Sequence, residues 1–334
     1  MTYSVAVVGA TGNVGREIMQ MLAERQFPIS EIHALASRDS LGKEISFGED
    51  ETVPAKNLET FDFSKVDYVF ASAGAKISKQ YAPKAAAAGA VYIDNSSAFR
   101  MDPNVPLVVP EVNAEALHNV RESNIVASPN CVAIPLAMVL RPLHDLATVK
   151  RAVVSTYQST SGAGRDAMDE LFSQTRTIFM NNPITKEEFP KQIAFNVIPQ
   201  IGYFEESGMT GEEDKVIKET QKIVDPSIGI SATCVRVPVF VGHAISANIE
   251  FDSPIDEKAA RDALKEHGVT IIDHRVEDGY ITPVEAAGED GVYVSRVRKD
   301  PSVDYGLNLW IVSDNLRKGA ALNVVQIAEA LIKQ

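Results

Sequence analysis

Hydrophobic residues in the first third of the chain follow two alternating spacings. Short runs of β-branched and other apolar residues, such as YSVAVVG at 3–9 and DYVFAS at 67–72, are separated by segments with helical spacing, such as NVGREIMQMLAERQ at 13–26. Strands that alternate with helices in this way form βαβ units on a parallel sheet. The pattern therefore predicts a doubly wound, Rossmann-type α/β domain.

The pattern changes after residue 147. Strand-like segments lie closer together there, at 150–158, 231–240 and 244–251. A polar stretch at 181–230 separates the first of them from the other two. We expect an antiparallel or mixed sheet with helices on one side, which makes this half an α+β domain. The last segment, 317–332, has apolar residues at helical spacing and is predicted to pack back onto the first domain.

Length and charge narrow the classes of function. With 334 residues, 45% of them hydrophobic, the chain is long enough for two packed cores. Its formal net charge of -13 argues against nucleic-acid binding, which requires a basic surface.

The start of the chain lacks a signal-peptide pattern, and no apolar run reaches the roughly 18 residues of a membrane span, so we expect a cytoplasmic protein without membrane contact. Two cysteines and six histidines show neither a disulfide framework nor metal-ligand spacing, so no metal is predicted.

The first motif with a chemical meaning is VAVVGATGNVG at 5–15. It reads as a strand, then Gly9, Gly12 and Gly15, then a helix. Glycines permit a tight turn and let a pyrophosphate approach the N–H groups at the helix N-terminus. The alternative is an ordinary glycine-rich turn, but the order of the elements favours a dinucleotide site.

The second strand is predicted to end near Ala36, where NAD-specific sites place an acidic residue against the ribose. The chain has Ser37, Arg38, Asp39 and Ser40 there. The arginine and the serines suit the 2′-phosphate of NADP, whereas Asp39 suits the ribose hydroxyls of NAD. In an extended segment, only one of Arg38 and Asp39 would face the ribose. We expect NADP, with NAD left open by Asp39.

Cys131 lies in SPNCVAIP, where an apolar helical pattern begins. A helix N-terminus lowers the pKa of a nearby thiol and favours the nucleophilic thiolate. Asn130 is a suitable N-cap, although Pro135 allows the helix to begin a few residues later. A lone cysteine is more often a small buried hydrophobic residue, and Cys234 in its strand-like segment suits that interpretation. Cys131 is flanked by turn residues where two domains are expected to join, so we predict that it is a nucleophile.

A nucleophilic cysteine needs a base, and His243 is the candidate, although a single histidine is more often structural. Further polar candidates are Arg100, Gln158, Lys215 and Arg236. Arg236 lies in an apolar strand-like segment, where an unpaired charge would be costly. Such an arginine suits the binding of a carboxylate or a phosphate.

Motifs along nearly the whole chain resemble, in the same order, those of the aspartate-β-semialdehyde dehydrogenases. They are GATGNVG, LVVPEVN, SPNCVAIP, TYQSTSGAG, IAFNVIPQI, CVRVPVFVGHA and LWIVSDNLRKGAALN. The resemblance implies reversible, NADPH-dependent reductive dephosphorylation of L-4-aspartyl phosphate to L-aspartate 4-semialdehyde through a cysteine thioester. This reaction lies on the diaminopimelate, lysine, threonine and methionine route.

The matching motifs imply roles for individual residues. Cys131 would be the nucleophile and His243 the acid/base, with Gln158 orienting the intermediate. Arg236 would bind the substrate carboxylate and Glu212 its ammonium group. The remaining expected contacts are Arg100 and Lys215 with phosphate, and, with the cofactor, Gly9, Thr11, Gly12, Asn13, Val14, Ser37, Arg38, Ser40, Ser161, Gly162 and Asn315.

The same resemblance implies the division of the chain. Residues 1–130 with 315–334 would form the NADP-binding domain, and residues 131–314 the catalytic and dimerisation domain. The partners expected are a small-molecule substrate, phosphate and a second copy of the chain, in a homodimer or a tetramer.

Two other functions compete with this one. A reductase of N-acetylglutamyl phosphate shares the glycine loop and the cysteine chemistry, but an acylated amine would have no use for the carboxylate of Glu212. A degenerate relative could retain the fold as a binding or interaction protein, but it would not need both Cys131 and His243.

Overall fold

The computed structural model of the protein describes residues 1–333, apart from the side chain of Arg121. The strands are β1 Tyr3–Val8, β2 Ile29–Ala36, β3 Glu44–Phe47, β4 Glu51–Pro54, β5 Lys56–Asn57, β6 Tyr68–Ala71, β7 Val91–Asp94, β8 Ile125–Ala127, β9 Val149–Gln158, β10 Gly229–Arg236, β11 His243–Phe251, β12 Thr270–Ile271, β13 Val292–Lys299 and β14 Gly306–Ser313. The helices are α1 Asn13–Glu24, α2 Ala75–Ala87, α3 Pro110–Asn113, α4 Ala133–Leu146, α5 Arg165–Phe179, α6 Gly211–Ile223, α7 Glu257–Glu266, α8 Pro283–Ala286 and α9 Leu322–Ile332.

The chain forms two compact units, Met1–Asn130 with Ala320–Gln334, and Cys131–Gly319. The C-terminal segment joins the first unit at Ala320, whereas we expected it to do so at residue 315. Residues 314 and 315 are held by backbone donors of the second unit, since Asp314 accepts from the Gly288 N–H at 2.8 Å and Asn315 from the Gly242 N–H at 2.9 Å. The roles expected for the two domains stay predictions.

The first unit is built on a six-stranded sheet in the order β5-β2-β1-β6-β7-β8, with every pairing parallel. Val5, Ala6, Val7 and Val8 of β1 are fully buried, as expected for a strand covered on both faces. The sequence-based prediction of a doubly wound α/β fold is confirmed, and β2 ends at Ala36 as expected.

The C-terminal helix α9 belongs to this unit, where it packs against α1, as predicted. The buried Asn323 donates to the Val108 carbonyl at 3.0 Å and to Ser128 Oγ at 2.9 Å. Arg25, just after α1, makes a bidentate ion pair with Glu329 at 2.6 and 2.7 Å. A charge-assisted pair with this geometry fixes the orientation of α9 on the sheet.

The second unit is built on a mixed six-stranded sheet in the order β10-β9-β11-β14-β13-β12. The β9–β10 and β12–β13 pairs are parallel and the other pairs are antiparallel. In β11, Ile245, Ala247 and Ile249 are buried, whereas Ser246 and Asn248 between them are only half-buried. This period of two indicates one covered face and one more open face, so the expectation of a mixed sheet is confirmed.

The register of this sheet brings several strand ends to one edge. Gln158 at the end of β9 pairs with Arg236 at the end of β10, and His243 at the start of β11 pairs with Ser313 at the end of β14. Ala244 is opposite Tyr157. Polar residues that are far apart in sequence are therefore neighbours at this edge. Among the helices of residues 1–333, none has both the length and the apolar character needed to span a bilayer.

Candidate active site

The glycine turn between β1 and α1 has the geometry of a dinucleotide loop. Gly9 has a φ of +82°, a left-handed conformation that favours glycine. A Cβ at Gly15 would overlap the Gly9 carbonyl oxygen, so only glycine allows α1 to begin this close to the turn. The other predicted contacts, Thr11, Gly12, Asn13 and Val14, occupy the turn and the first residues of α1. No side chain caps α1 at Gly12, which leaves its first N–H groups suited to an anion.

The segment after β2 differs from our expectation. Arg38–Ser40 forms a 3₁₀ turn and is not extended, because the Ser40 N–H donates to the Ser37 carbonyl at 3.0 Å. The alternation argument for Arg38 and Asp39 was therefore wrong. The Arg38 side chain is exposed, and its nearest acidic group is Glu59, with Nε 3.8 Å from Oε2. An exposed pair at this distance is weak and leaves the guanidinium able to turn towards a ligand.

Arg100 is buried at the carboxyl end of the first-unit sheet. Its Nε donates to the Ser128 carbonyl at 2.9 Å and its Nη2 to the Asn95 carbonyl at 2.8 Å. The loop that carries it is anchored by the buried Asp94, which accepts from the Ser96 N–H at 2.9 Å. Burial raises the pKa of Asp94, although its hydrogen bonds and the charge of Arg100 oppose this. Arg100 is thus held in a defined orientation by backbone carbonyls.

Cys131 lies two residues before α4, which begins at Ala133. Asn130 is not the N-cap, so that expectation was wrong; Val132 occupies the cap position and has no side-chain cap bond. A start of α4 a few residues after Asn130 is the alternative that Pro135 had indicated in the sequence. Cys131 is partly exposed, whereas Cys234 is fully buried, which raises the pKa of the Cys234 thiol to about 12. Of the two thiols, only Cys131 has both access and a helix N-terminus nearby.

A chain of polar groups leads from the end of β9 to α6. Thr156 Oγ1 donates to Gln158 Oε1 at 2.9 Å, and Gln158 Nε2 donates to Glu212 Oε1 at 3.0 Å. The other carboxylate oxygen of Glu212 lies 3.4 Å from the Lys215 ammonium. Gln158 and Glu212 are buried, whereas the Lys215 side chain is partly exposed. The network fixes the carboxamide of Gln158 and the carboxylate of Glu212.

His243 is buried in the second unit with its two ring nitrogens in different surroundings. The Ser159 N–H donates to Nδ1 at 3.1 Å, and Ser159 Oγ lies 3.1 Å from the same atom. Nε2 has no hydrogen-bond partner within residues 1–333. Burial, followed by the charge of Arg236, lowers the pKa of His243 to about 3, and Glu212 opposes this. The imidazole is therefore neutral at pH 7.

Arg236 and His243 border the same glycine. A Cβ built at Gly162 would lie 3.1 Å from Arg236 Nη1 and 3.3 Å from His243 Nε2. Nη1 also donates to the Ser159 carbonyl at 2.7 Å. Burial lowers the pKa of Arg236, whereas Glu212 and Cys131 act in the opposite direction. The guanidinium and the imidazole thus pack closely against the same residue, Gly162, where there is no room for a side chain without a shift of its neighbours.

Comparison with known proteins identifies the family. The model of the semialdehyde dehydrogenase NAD binding domain matches residues 4–120, and that of the semialdehyde dehydrogenase dimerisation domain matches residues 140–318. The chain is 51% identical over 332 residues to the aspartate-semialdehyde dehydrogenase of Rickettsia bellii, covering 99% of this chain and 98% of the relative. The chain belongs to the aspartate-semialdehyde dehydrogenase family.

Solved aspartate-semialdehyde dehydrogenases have the same fold. Aspartate semialdehyde dehydrogenase II from Vibrio cholerae is 47% identical and superposes with a TM-score of 0.97, covering 100% of this chain and 99% of that chain. The same Vibrio enzyme in complex with ASA gives 46% identity and a TM-score of 0.97, with the same coverage. The resemblance and the fold class predicted from the motifs are confirmed.

Within this family framework, the second unit of the chain brings together Gln158, Glu212, Lys215, Arg236 and His243. Ser161 and Asn315, both predicted to contact the cofactor, are hydrogen-bonded to each other, with Asn315 Nδ2 donating to Ser161 Oγ at 2.9 Å, and their contact with a cofactor stays a prediction. Gly9, Thr11, Gly12, Asn13, Val14, Ser37, Arg38, Ser40 and Arg100 belong to the first unit.

Two residues with a place in these networks were missed by the motif analysis. Ser159 contacts His243, and its only sequence signal was its position directly after Gln158 in the TYQSTSGAG motif. Asp94 anchors the loop before Arg100, and its signal was a carboxylate at the end of an apolar strand.

Proposed function

We propose that the chain is an NADP-dependent, phosphorylating aspartate-semialdehyde dehydrogenase. It would reduce L-4-aspartyl phosphate to L-aspartate 4-semialdehyde, with release of phosphate, and catalyse the reverse reaction. The observation that carries the proposal is the cluster at one edge of the second-unit sheet. There, buried Glu212 and Arg236 lie close to a neutral His243 whose buried Nε2 has no hydrogen-bond partner within residues 1–333.

The cluster suits a small zwitterionic substrate. Arg236 offers a guanidinium to a carboxylate, and Glu212 offers a carboxylate to an ammonium group. Each charge is buried, so an opposite charge on the substrate would interact with it more strongly than in water. Gln158, held by Thr156 and Glu212, would orient the acyl group.

The covalent chemistry is assigned to Cys131 and His243. In the reductive direction, the Cys131 thiolate attacks the acyl carbon, and the bond to phosphate breaks with release of phosphate and formation of a thioester. After reduction, the thiohemiacetal oxygen carries a proton supplied by the imidazolium of His243; it returns this proton to the ring as the C–S bond breaks, and the aldehyde and the thiolate are released. Arg100 and Lys215 are the residues proposed to bind the phosphate.

The residues of the first unit fit a dinucleotide. The left-handed Gly9, the close approach at Gly15 and the uncapped start of α1 together form a cradle for a pyrophosphate. When bound, the cofactor supplies and accepts the hydride. Arg38, with Ser37 and Ser40, is proposed to bind the 2′-phosphate of NADP, and Ser161, Gly162 and Asn315 are proposed as further cofactor contacts.

The preference for NADP can be tested with the two charged residues of the 3₁₀ turn. Arg38→Ala is expected to lower kcat/KM with NADP by about ten- to a hundredfold, the effect of one charge-assisted hydrogen bond, and to change the value with NAD much less. Asp39→Ala is expected to sharpen the preference for NADP. A wild type that prefers NAD, and that loses this activity in Asp39→Ala, would contradict the assignment.

A homodimer is proposed from the open face of the second sheet, with a tetramer as the alternative. Half-buried or exposed side chains point to this face, with the rings of Tyr157 and Trp310 5.4 Å apart. Ser246 lies between Ser155 and Trp310 in the register of the strands. Light scattering should find a dimer for the wild type and a smaller species for Ser246→Arg. A monomeric wild type would contradict the proposal.

The proposed reaction is tested by phosphate-dependent reduction of NADP with L-aspartate 4-semialdehyde. Cys131→Ala is expected to abolish turnover while leaving the fold intact, and Cys234→Ala serves as the matched control with largely unchanged activity. Iodoacetamide should label Cys131 alone and inactivate in proportion. Higher activity with N-acetylglutamate semialdehyde would favour the related reductase, and labelling without any measurable activity would favour a binding protein. A cytoplasmic location stays a prediction.

A further inference from the structure

The backbone after β14 forms a π-helical turn over Arg317–Ala321. The Gly319 N–H donates to the Asp314 carbonyl at 2.9 Å, a bond that spans five residues, as in a π-helix. The turn follows Ser313, the strand residue that is paired with His243, so it begins directly beyond the edge that carries the candidate site. Single π-helical turns are rare and are found frequently at functional sites.

The turn is anchored by the buried carboxylate of Asp314. Its Oδ1 accepts hydrogen bonds from the Leu316 N–H at 2.7 Å and from the Arg317 N–H at 3.2 Å. Its Oδ2 accepts from the Gly288 N–H at 2.8 Å. One carboxylate thus satisfies the donors at the start of the turn and ties the turn to the segment after α8.

Gly319 is the residue of this turn that lies against Cys131. A Cβ built at Gly319 would be 3.1 Å from Cys131 Cβ and 3.3 Å from the Cys131 carbonyl oxygen. The same Cβ would be 3.3 Å from the Asp314 carbonyl oxygen. Ordinary contacts between carbon atoms are about 3.5–4.0 Å, so a side chain at position 319 would have to displace either Cys131 or the turn.

The position of Cys131 depends on such contacts, because the residue lies outside the regular part of α4, which begins at Ala133. A reacting group has to be held within about 0.5 Å of its productive geometry. We propose that Gly319 is the positioning residue of Cys131: because it has no side chain, the turn anchored by Asp314 packs directly against the Cβ and carbonyl of Cys131 and sets where the sulfur meets the acyl carbon. This inference rests on the proposed function, in which Cys131 is the nucleophile.

The first test is kinetic and uses a single added methyl group. Gly319→Ala is expected to lower kcat by about ten- to a hundredfold, because a displacement of about 1 Å at a reacting group can cost about a hundredfold. KM for the semialdehyde and for phosphate should change by less than about threefold, since the groups proposed to bind the charges of the substrates are not among the contacts of the new methyl. Gly229→Ala is the matched control and should retain both constants, because its Cβ would make an ordinary contact of 3.4 Å with the Lys150 carbonyl.

The second test compares two reactions of the same thiol, a contrast that a purely structural role of Gly319 would not produce. Iodoacetamide reaches the partly exposed Cys131 without a fixed geometry, so the alkylation rate and its pH dependence should stay within about threefold in Gly319→Ala. The first turnover without phosphate requires alignment. In it, the Cys131 sulfur bonds to the aldehyde carbon, a hydride passes from that carbon to NADP, the proton on the oxygen returns to His243, and a thioester remains. Rapid mixing should show a burst of NADPH with unchanged amplitude and a rate that is about ten- to a hundredfold lower.

The outcomes separate the inference from the function. Wild-type kcat in Gly319→Ala, a rise in KM alone, or an alkylation rate that falls by the same factor as the burst rate would overturn the positioning role. If Gly319→Ala does not fold, Asp314→Asn decides, because its amide nitrogen cannot accept the hydrogen bond of the Gly288 N–H and loosens the turn without an added atom. An unchanged burst rate in Asp314→Asn would then overturn the inference. A wild type without phosphate-dependent reduction of NADP would overturn the proposed function, which a loss confined to the variants cannot do.

Discussion

Gly162 offers a sharp test of the proposed site, because a single added methyl group would press against both Arg236 and His243. In Gly162→Ala, the new Cβ would lie 3.1 Å from Arg236 Nη1 and 3.3 Å from Cε1 and Nε2 of His243. These distances are shorter than ordinary carbon contacts of about 3.5–4.0 Å, so the two side chains must retreat by a few tenths of an ångström. The methyl would also press against the buried Nε2.

The effects on stability and on activity should differ in size. Where the backbone permits it, replacing glycine by alanine stabilises the folded protein by about 0.4–1 kcal/mol, because the unfolded chain has less conformational entropy to lose. Overpacking of the new methyl group destabilises it by about 1–3 kcal/mol. The net loss is then at most about 2.6 kcal/mol, or a fall in Tm of at most about 10 °C. Catalysis is more sensitive, because a displacement of about 1 Å at a reacting group can cost about a hundredfold. We expect kcat/KM to fall by about ten- to a hundredfold.

The assay combines phosphate-dependent NADP reduction with thermal unfolding of the same samples. Gly229→Ala is the matched control, since its Cβ would lie 3.4 Å from the Lys150 carbonyl, an ordinary contact at the start of β10. The control should retain activity. Full activity in Gly162→Ala would refute the view that catalysis depends on the positions of Arg236 and His243, and a collapse of Tm with activity would show that the glycine serves the fold.

Three further predictions concern anion binding, pH and packing. Arg100→Ala should raise KM mainly for phosphate and Arg236→Ala mainly for the semialdehyde, each by about ten- to a hundredfold, and equal shifts in both constants would contradict the division. The pKa of His243 is lowered from 6.5 to about 3 in the folded protein, so between these two pH values the unfolded chain takes up a proton that the folded protein does not. The contribution of His243 to stability is therefore complete above pH 6.5 and is lost as the pH falls towards 3. Between pH 6 and pH 4, the free energy of unfolding, measured in urea, should therefore change with pH by about 1.4 kcal/mol per pH unit less in His243→Gln than in the wild type. The same slope in both proteins would contradict this. Thr220→Val replaces a fully buried hydroxyl that has no hydrogen-bond partner in the described chain, and it should raise the free energy of unfolding by about 1 kcal/mol; a decrease would show that the hydroxyl is satisfied in solution.

Local patterns in the sequence were sufficient to predict the fold of the first unit and the different surroundings of the two thiols. The strand, glycine turn and helix at 3–24 are contiguous, so their order alone predicts βαβ geometry and a dinucleotide loop. Likewise, Cys131 next to a helix start and Cys234 within a strand differ in local context, and the structure agrees with both placements. The motifs also predicted the family, because they match those of the aspartate-β-semialdehyde dehydrogenases in the same order along nearly the whole chain.

The positions of helix caps and turns could not be predicted from the sequence, because alternative local backbone conformations compete at these points. Asn130 has a good N-cap side chain, but α4 begins at Ala133. Arg38 and Asp39 were compatible with an extended segment, yet hydrogen bonds after β2 close a 3₁₀ turn there. Several backbone paths differ little in local energy at such points, and the surrounding packing selects one of them.

Only the tertiary structure decided how the site is assembled. Gln158, Arg236 and His243 are neighbours because the register of β9, β10 and β11 aligns their ends, and register depends on pairing between distant segments. The Nδ1 atom of His243 accepts a hydrogen bond from the Ser159 N–H, a backbone group 84 residues away in sequence. Sequence therefore determined which chemical groups the protein possesses, whereas the pairing of the strands determined which of them meet.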